Sequence, residues 1–367
     1  AAITGATNNS YTVATPLGTN TFSCTVSNTF NGGSIAGSST VTLVGSDAHT
    51  PPYRLAVLAD SPIAYWRLDE GPDNGAGNDG VIAHDIAGGH NAFYNNTALG
   101  VPGYSTNDAD TAAGFGTFSN ANSYAQELDL SGSGVTNIDF SQPPGANAEF
   151  SVEAWANAAT NQALNNRILN KGHFFGEQFA LDLGTTTPST AFRFTIRDAN
   201  GTEYDARSAI VPDGKWHHLV GVCDEANGLI ELYVDGVLAA TNFNNVALAP
   251  GSGLYSVQEA MSIGNADTDR NGAGVYGAQF IGTIDEPALF NYALTPAQVA
   301  DHYGAGIAQP PMPLTIKDLG LGQVQLTWGS AVLQSATNVA GPYNDVTGVT
   351  SPYTVPATNK QQFYRIR

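Results

Sequence analysis

Carboxylates on alternate residues of one β-strand could cleave a glycosidic bond, because alternate side chains share a face of the sheet. Glu127 and Asp129 have this spacing, but a serine and a glycine follow where a further glutamate would stand. Asp285 and Glu286 are adjacent, so a regular strand would point them to opposite faces of its sheet. The spacing of the acidic residues therefore predicts a protein without catalytic carboxylates.

A short polar segment has the spacing of a calcium-binding loop. Asp267, Asp269, Asn271 and Gly272 stand at the first, third, fifth and sixth positions of an EF-hand pattern. The twelfth position holds Ala278 instead of glutamate, and the flanking sequence predicts no helices. A polar loop between two strands is the alternative interpretation of this segment.

The histidines and cysteines do not complete a recognised catalytic or zinc motif. The chain has 7 histidines, but no Gly-x-Ser-x-Gly turn accompanies them. Its 2 cysteines, Cys24 and Cys223, lack the spacing of zinc ligands. We expect both to be buried free thiols, and a disulfide between them is the alternative.

Composition narrows the class of protein. The chain has 367 residues with a net charge of −19, only 12% charged residues, 41 glycines and 19 prolines. This acidity argues against a nucleic-acid partner, which requires clustered lysine and arginine. No apolar run reaches the roughly 20 residues of a membrane-spanning helix. Abundant Asn, Thr, Ser and Gly with few lysines are typical of a secreted bacterial β-protein, and we expect an extracellular or cell-surface location.

Strands must position most of these side chains, because short alternating segments recur between turn residues. Asp235-Gly236 separates segments 230–234 and 237–241, which predicts a hairpin with a type I′ turn. Asn200-Gly201 predicts a second hairpin. Alternation also predicts strands over residues 150–156 and 216–222.

One helix is predicted near residues 296–303. Thr295 is a typical N-cap, Pro296 suits the first helical position, and Gln298 completes a capping box. Gly304 is expected to end the helix. Residues 45–52 and 304–313 have the composition of linkers, which divides the chain into domains at 1–46, 53–305 and 313–367.

The central part of the chain, over nearly all of residues 55–305, resembles a laminin-G-like jelly roll of the concanavalin A-like lectin and glucanase superfamily. The resemblance depends on the order of short motifs: AYWRLDE from Ala64, DIAGGHN from Asp85, FSVEAW from Phe150, WHHLV from Trp216, LYVDG from Leu232, SIGN from Ser262, FIGTIDE from Phe280 and LFNYAL from Leu289. It implies an all-β, two-sheet antiparallel sandwich. It also implies binding of glycans, proteins or cell surfaces. Because the superfamily includes glycoside hydrolases, an enzyme or an accessory carbohydrate-binding module is the alternative function.

The same resemblance implies a calcium ion held by the start of the domain and the strand near residue 285. The candidate ligands are Asp69, Glu70, Asp85, Asn91 and Asp285. The alternative is that Asp69 and Glu70 are ordinary solvated or hydrogen-bonded groups and that Asp85 caps a turn.

Aromatic side chains near loops are candidates for stacking on a glycan. Tyr255 and Tyr276 have suitable positions, as do Phe174 and Phe175. Packing in the core is the alternative role for these rings.

The segments ITGATNNSYTV from Ile3, TFSCTVSN from Thr21 and STVTL from Ser39 fit later strands of an immunoglobulin-like domain, so residues 1–44 resemble the second half of a bacterial domain of that kind. The last 55 residues resemble a small β-domain of secreted bacterial proteins, through VQLTW from Val324, LQSATN from Leu333, GPY from Gly341 and QFYRIR from Gln362. Half a sandwich would leave an apolar face and an unpaired strand edge. If the chain begins at Ala1, we expect a second copy or a neighbouring β-protein to supply the missing strands. Repeated head to tail, this contact would build a filament. A fragment of a longer protein is the alternative explanation.

Overall fold

The structure, a computed structural model, describes residues 18–30, 33–45, 52–71, 81–105, 110–116, 123–127, 137–173, 176–186, 189–257, 259–266, 277–308, 314–320, 322–328, 332–338, 341–356 and 362–366. The chain divides into two compact units, one of residues 52–308 and one of residues 1–51 with 309–367. The candidate loop residues Asp267, Asp269 and Asn271 lie outside the described residues, as do Tyr276, Phe174 and Phe175.

Strands β1 (Gly18–Phe30) and β2 (Gly33–Gly45) form an antiparallel two-stranded sheet. Their register pairs Gly18 with Gly45 and Phe30 with Gly33, so every residue of one strand has a partner in the other.

The unit of residues 52–308 contains two helices and sixteen of the described strands. The helices are α1 (Pro52–Ala59) and α2 (Pro296–Ile307). The strands are β3 (Ala64–Tyr65), β4 (Ile82–Ala83), β5 (Ala92–Asn95), β6 (Ala98–Pro102), β7 (Thr111–Phe115), β8 (Tyr124–Glu127), β9 (Glu149–Ala158), β10 (Arg167–His173), β11 (Gly176–Thr186), β12 (Ser189–Arg197), β13 (Glu203–Arg207), β14 (Trp216–Asp224), β15 (Leu229–Val234), β16 (Val237–Thr241), β17 (Met261–Ile263) and β18 (Gly282–Phe290).

These strands form the two antiparallel sheets of a sandwich, which confirms the predicted fold class for the central part of the chain. The first sheet has the order β16-β15-β14-β9-β18-β7-β6, with β3 also paired to β18, and the second has the order β13-β12-β11-β10-β17-β8-β5-β4. Alternate residues of β9, Phe150, Val152 and Ala154, face the core between the sheets and meet Phe179 and Phe194. Burial of such side chains contributes roughly 1.5–3 kcal/mol each.

The two predicted hairpins are present. β15 and β16 join at Asp235-Gly236, where both residues have positive φ, 53° and 76°, as a type I′ turn requires. β12 and β13 pair across the turn that contains Gly201, whose φ is 85°.

The helix prediction was right at its start and wrong at its end. Thr295 caps α2 with both hydrogen bonds of a capping box, but the helix passes Gly304 and continues to Ile307. Gly306 lies against the sheet, where an added Cβ would stand 2.5 Å from Cζ2 of Trp155. Packing of the helix on the sheet therefore outweighs the weak stop signal of Gly304. The sequence also missed α1, whose Tyr53 and Val57 are buried.

The residues beyond 308 form two described three-stranded sheets. Their strands are β19 (Thr315–Gly320), β20 (Gln323–Thr327), β21 (Leu333–Ala336), β22 (Asn344–Asp345), β23 (Tyr353–Pro356) and β24 (Phe363–Ile366). The sheet orders are β19-β20-β23 and β22-β21-β24. Leu326, Trp328, Leu333 and Val355 form their small apolar cluster.

Candidate functional site

Three carboxylates meet beside the middle of β18. Asp110, Asp285 and Glu286 each offer an oxygen atom that lies within 4.8 Å of the other two. Asp110 precedes β7, and the antiparallel pairing of Ala113 with Ile284 brings the start of β7 alongside these residues. Among the described residues, this is the one group of three or more His, Cys, Asp and Glu with metal-ligand spacing.

A β-bulge brings the two adjacent carboxylates together, so the expectation that Asp285 and Glu286 face opposite sides was wrong. The register of β18 against β9 shifts between Asp285 and Ala288. Glu286 has a φ of 55°, in the left-handed region, which costs on the order of 1 kcal/mol or more for a non-glycine residue. The bulge turns both side chains into the same buried cluster.

Arg67 and Tyr65 complete this carboxylate cluster from the chain next to β18. Arg67 donates from Nε to Oε1 of Glu286 at 3.1 Å, and its Nη2 contacts Oδ2 of Asp110. The hydroxyl of Tyr65 donates to Oε2 of Glu286. Oδ2 of Asp285 accepts the backbone N–H of Tyr104 at 3.0 Å. Arg67 therefore pairs with two of the three acids, and the cluster with Arg67 has a formal charge of −2 before any proton binds.

Burial makes the carboxylate cluster bind protons tightly. Burial, with the neighbouring Glu286, raises the pKa of Asp110 to about 10. Burial also raises the pKa of Glu286 to about 7, against the opposing effect of Arg67. Without a metal, Asp110 therefore holds a proton at neutral pH, which reduces the negative charge of the cluster.

The five residues predicted to bind calcium do not meet at one point. Both oxygens of Asp85 accept backbone N–H groups, from Tyr65 and Ala87 at 2.8 Å and from Gly88 and His90 at 3.0 and 2.7 Å. The side-chain oxygen of Asn91 accepts the N–H of Asp85. These contacts match the turn-capping alternative for Asp85.

The two acids at the start of the domain have protein partners as well. Glu70 accepts the N–H of His84 at 2.8 Å and the hydroxyl of Tyr94 at 2.7 Å. Asp69 is exposed and lies 3.4 Å from Nη1 of Arg67. Of the five predicted ligands, Asp285 alone belongs to the carboxylate cluster, which Asp110 and Glu286 complete. The calcium prediction for the five residues as a set stays a prediction.

The donor set of the carboxylate cluster fits a calcium ion. Calcium binds oxygen at about 2.3–2.6 Å, so two ligands on opposite sides of the ion are roughly 5 Å apart. One oxygen of each of the three carboxylates lies within 4.8 Å of the other two, which satisfies this geometry. A divalent cation would also balance three carboxylates and Arg67 to a net charge of zero.

Glu127, the first of the candidate catalytic acids, is buried at the end of β8. Its residue is 2% exposed, and its Oε1 accepts the backbone N–H of Ile138 at 3.0 Å. Nδ1 of His90 lies 3.1 Å from the same oxygen. Oε1 of Glu127 is therefore held by groups of the protein.

A second buried network links the outer face of the first sheet to both helices. Glu153, on β9, lies 3.0 Å through Oε2 from Nδ1 of His302 on α2 and 3.4 Å from Nε2 of His218 on β14. The other nitrogen of His302 lies 3.0 Å from Oδ2 of Asp60, just after α1. The hydroxyl of Tyr53 lies 3.3 Å from Nε2 of His218.

Charge pairing accounts for the pKa shifts in this helix-side network. Burial opposes ionisation of Glu153, but His302 and His218 outweigh it and lower the pKa of Glu153 to about 2. Burial likewise opposes protonation of His302, but Glu153 and Asp60 raise its pKa to about 9. A salt-bridged His302 therefore connects the two helices to the sheet at neutral pH.

A third network, the charged row, crosses four strands on the outer face of the second sheet. The strand registers place Arg167 opposite Asp182, Asp182 opposite Arg193, and Arg193 opposite Arg207. Asp182 is fully buried and accepts two hydrogen bonds of 2.8 Å from Arg193 as well as one from Arg167. The charged row concentrates arginine in an otherwise acidic protein.

Tyr255 and Cys223, two further residues singled out in the sequence, lie outside these three networks. Tyr255 is half-buried, and its backbone joins Arg197 and Gln178 by hydrogen bonds. Cys223 is a free thiol buried on β14, as predicted, and burial raises its pKa well above the ordinary value. None of the described helices is long and apolar enough to cross a membrane.

The central domain matches a known family. Residues 132–300 match a laminin-G-type family of the concanavalin A-like lectin/glucanases superfamily. This match, with the two-sheet sandwich, confirms the resemblance predicted for the central part of the chain. The match lies within the unit of residues 52–308, and both flanking segments lie outside it.

Several solved structures are similar to parts of the chain. Domain 4 of AbnA, a GH43 extracellular arabinanase from Geobacillus stearothermophilus solved with arabinotriose, is 18% identical with a TM-score of 0.39, covering 66% of this chain and 98% of that one. A heptameric SAP-like pentraxin from Limulus polyphemus is 16% identical with a TM-score of 0.34, covering 44% and 72%. A sialidase from Trypanosoma rangeli is 15% identical with a TM-score of 0.42, covering 66% and 32%. No curated protein sequence matches the chain.

Proposed function

We propose that this chain is a non-catalytic extracellular binding protein whose jelly roll binds a glycan or a cell-surface protein. The observation that carries the proposal is the burial of the acids on which hydrolysis would depend. Glu127, Asp285 and Glu286 are all buried and contact protein donors. A glycosidase acid must instead reach the glycosidic oxygen of a bound sugar.

Glycan binding without hydrolysis is the expected result for the purified chain. A glycan array would measure binding, and a reducing-sugar assay on each glycan that binds would measure hydrolysis. We expect binding and no sugar release, because the buried acids do not reach a substrate. Sugar release that disappears in Glu127→Gln, with the fold intact, would support the glycoside hydrolase alternative instead.

We also propose that the carboxylate cluster of Asp110, Asp285 and Glu286 holds one structural calcium ion. When bound, the ion supplies positive charge that links β18 to the residue before β7. Calcium in excess over chelator is expected to raise the melting temperature of the wild type, because it binds the folded state alone. At a calcium concentration about 100 times the dissociation constant, the gain is roughly 2.7 kcal/mol.

Asp285→Asn is expected to remove this calcium dependence, since it replaces one charged ligand with an amide. Asp301→Asn, at an exposed position of α2, is the matched control and should keep the dependence. Equal melting temperatures for the wild type in calcium and in chelator would contradict the proposal.

We propose in addition that the β1–β2 sheet adds a strand from a second copy or a neighbouring β-protein. Within the described residues this sheet has two strands, so each strand keeps one edge with free backbone groups. Strand addition would pair these groups, and repeated head to tail it would form a filament.

Filaments or higher oligomers of the full chain are the expected result in electron micrographs and in light scattering. A chain of residues 52–308, which form a compact unit of their own, is expected to stay monomeric. A full chain that is monodisperse and monomeric at high concentration would contradict strand addition.

A further inference from the structure

One edge of the sandwich lacks the usual protection against pairing with another strand. Among the described strands, β16 and β6 end the first sheet, and β13 and β4 end the second. An edge strand directs unpaired N–H and C=O groups outward, so proteins commonly protect it with charge, proline or short length. β13 carries Glu203, Asp205 and Arg207, β6 ends at Pro102, and β4 has two residues. β16 has five residues, none of them charged and none proline, so it has none of these three protections.

The side chains of β16 form an exposed apolar surface at this edge. Val237 is 68% exposed and Leu238 is 46% exposed, although both belong to a strand. The stretch from Val237 to Val257 has no charged residue, in a chain whose net charge is −19. A strand that pairs with this edge would therefore bury apolar side chains and, from this stretch, no charge.

The β15–β16 hairpin fixes which backbone groups of β16 point outward. Val234 and Val237 flank the two-residue turn at Asp235-Gly236 and are paired in the register. In such a hairpin the flanking pair exchanges both of its hydrogen bonds, and the next pair, here Tyr233 with Leu238, exchanges none. The backbone N–H and C=O of Leu238 therefore point away from β15, where an added strand could pair with them.

The β1–β2 sheet has the charge and the free edges of a matching donor. Its two strands of 13 residues each contain no charged residue, and each strand keeps one free edge. Two copies of an acidic chain repel one another unless their charges stay out of the contact. Pairing of β1 or β2 with β16 achieves this, because none of the three strands contributes a charge. Pairing with β13 would instead remove water from Glu203 and Asp205, which costs free energy.

We propose that β16 is the acceptor edge of the assembly, and that the free edge of the β1–β2 sheet of a second copy pairs with it and extends the first sheet. This acceptor edge rests on the strand addition proposed above and gives it a partner and a location. The outward N–H and C=O of Leu238 gain partners from the added strand, which also covers Val237. Because donor and acceptor are different surfaces of one chain, the contact repeats head to tail.

Light scattering of the full chain over a range of concentrations tests the acceptor edge. Leu238→Lys places a charge in the contact, and Leu238→Pro removes the outward N–H, a change that an edge strand tolerates. We expect each variant to assemble only at about ten times the concentration that the wild type needs, or above. Leu164→Lys is the matched control, since Leu164 is 49% exposed and precedes β10 outside any strand, and it should assemble like the wild type. Folded Leu238 variants that assemble at the wild-type concentration would overturn the acceptor edge.

Hydrogen exchange of the wild type covers variants that fail to fold. Amides of residues 237–241 and of the β1–β2 sheet are both expected to exchange more slowly in the assembled chain than in the dilute chain. Slower exchange in the β1–β2 sheet alone would overturn the acceptor edge and leave strand addition standing. Slower exchange at residues 237–241 alone would overturn it as well, because β16 would then pair with another segment. A wild type that stays monomeric at every concentration would overturn both proposals.

Discussion

Replacing His302 with alanine is expected to destabilise the central domain by about 3–5 kcal/mol, the cost of removing one partner from a buried ion pair. Glu153 is fully buried beneath α1 and α2 and, among the described residues, would keep His218 alone as an ion-pair partner of its Oε2. Asp60 would lose its contact with α2 at the same time. Denaturant unfolding measures the loss, and His84→Ala, at an exposed histidine, is the control that should change little.

The pH dependence of this loss separates charge pairing from simple packing. The groups that face His302 are Glu153 from β9, Asp60 after α1, and the rings of Tyr53 and Phe290. The pKa of His302 rises from 6.5 to about 9 on folding. The stability that protonated His302 adds to the fold is therefore complete below pH 6.5 and disappears as the pH rises through 9.

The difference in stability between wild type and His302→Ala should therefore shrink between pH 6.5 and 9. At low pH, the stability that ionised Glu153 adds to the fold is complete above its ordinary pKa of 4.5 and disappears as the pH falls through about 2. His302→Gln keeps a donor for Glu153 and should lose less stability at neutral pH. A difference that stays constant from pH 6 to 10 would show that His302 acts by packing alone.

Local sequence signals were sufficient for the elements whose geometry is fixed by a few neighbouring residues. Asp235-Gly236 predicted a hairpin because few other dipeptides tolerate two successive positive φ values, and both residues have them. Thr295 and Gln298 predicted the start of α2 through their reciprocal capping bonds. The motifs from Ala64 to Leu289 predicted the two-sheet sandwich as a whole.

Tertiary contacts decided what the sequence could not show. The bulge at Glu286 has no glycine to mark it, so a regular strand was the natural expectation, and the carboxylate cluster was missed with it. Asp110 joins that cluster only because β7 pairs with β18 far along the chain. Burial of Lys171 and Glu127 likewise depends on strand order, since β17 lies between their strands.

Replacing Asp182 with leucine is expected to cost about 3–5 kcal/mol, because it leaves Arg167 and Arg193 in the charged row without their shared carboxylate. Burial lowers the pKa of Arg193, but Asp182 outweighs it and raises that pKa above the ordinary value. Arginine side chains stay protonated in proteins, so the variant buries two guanidinium groups without that carboxylate. Chemical denaturation measures the loss, and Asp301→Leu, on the exposed side of α2, is the control.

A triple variant decides whether the charged row stabilises the fold or only avoids unpaired charge. Arg167→Met, Asp182→Leu and Arg193→Met together remove the three buried charges that meet at Asp182 and keep similar volumes. Glu177 keeps Arg197 as a partner, and Asp205 keeps Arg207. Because desolvation offsets much of the attraction between buried ions, we expect the triple variant to be more stable than Asp182→Leu alone. If the triple variant is instead the less stable of the two, the attraction between the buried ions exceeds the cost of removing them from water. The stability lost in Asp182→Leu would then reflect the loss of that attraction and not the burial of unpaired arginines.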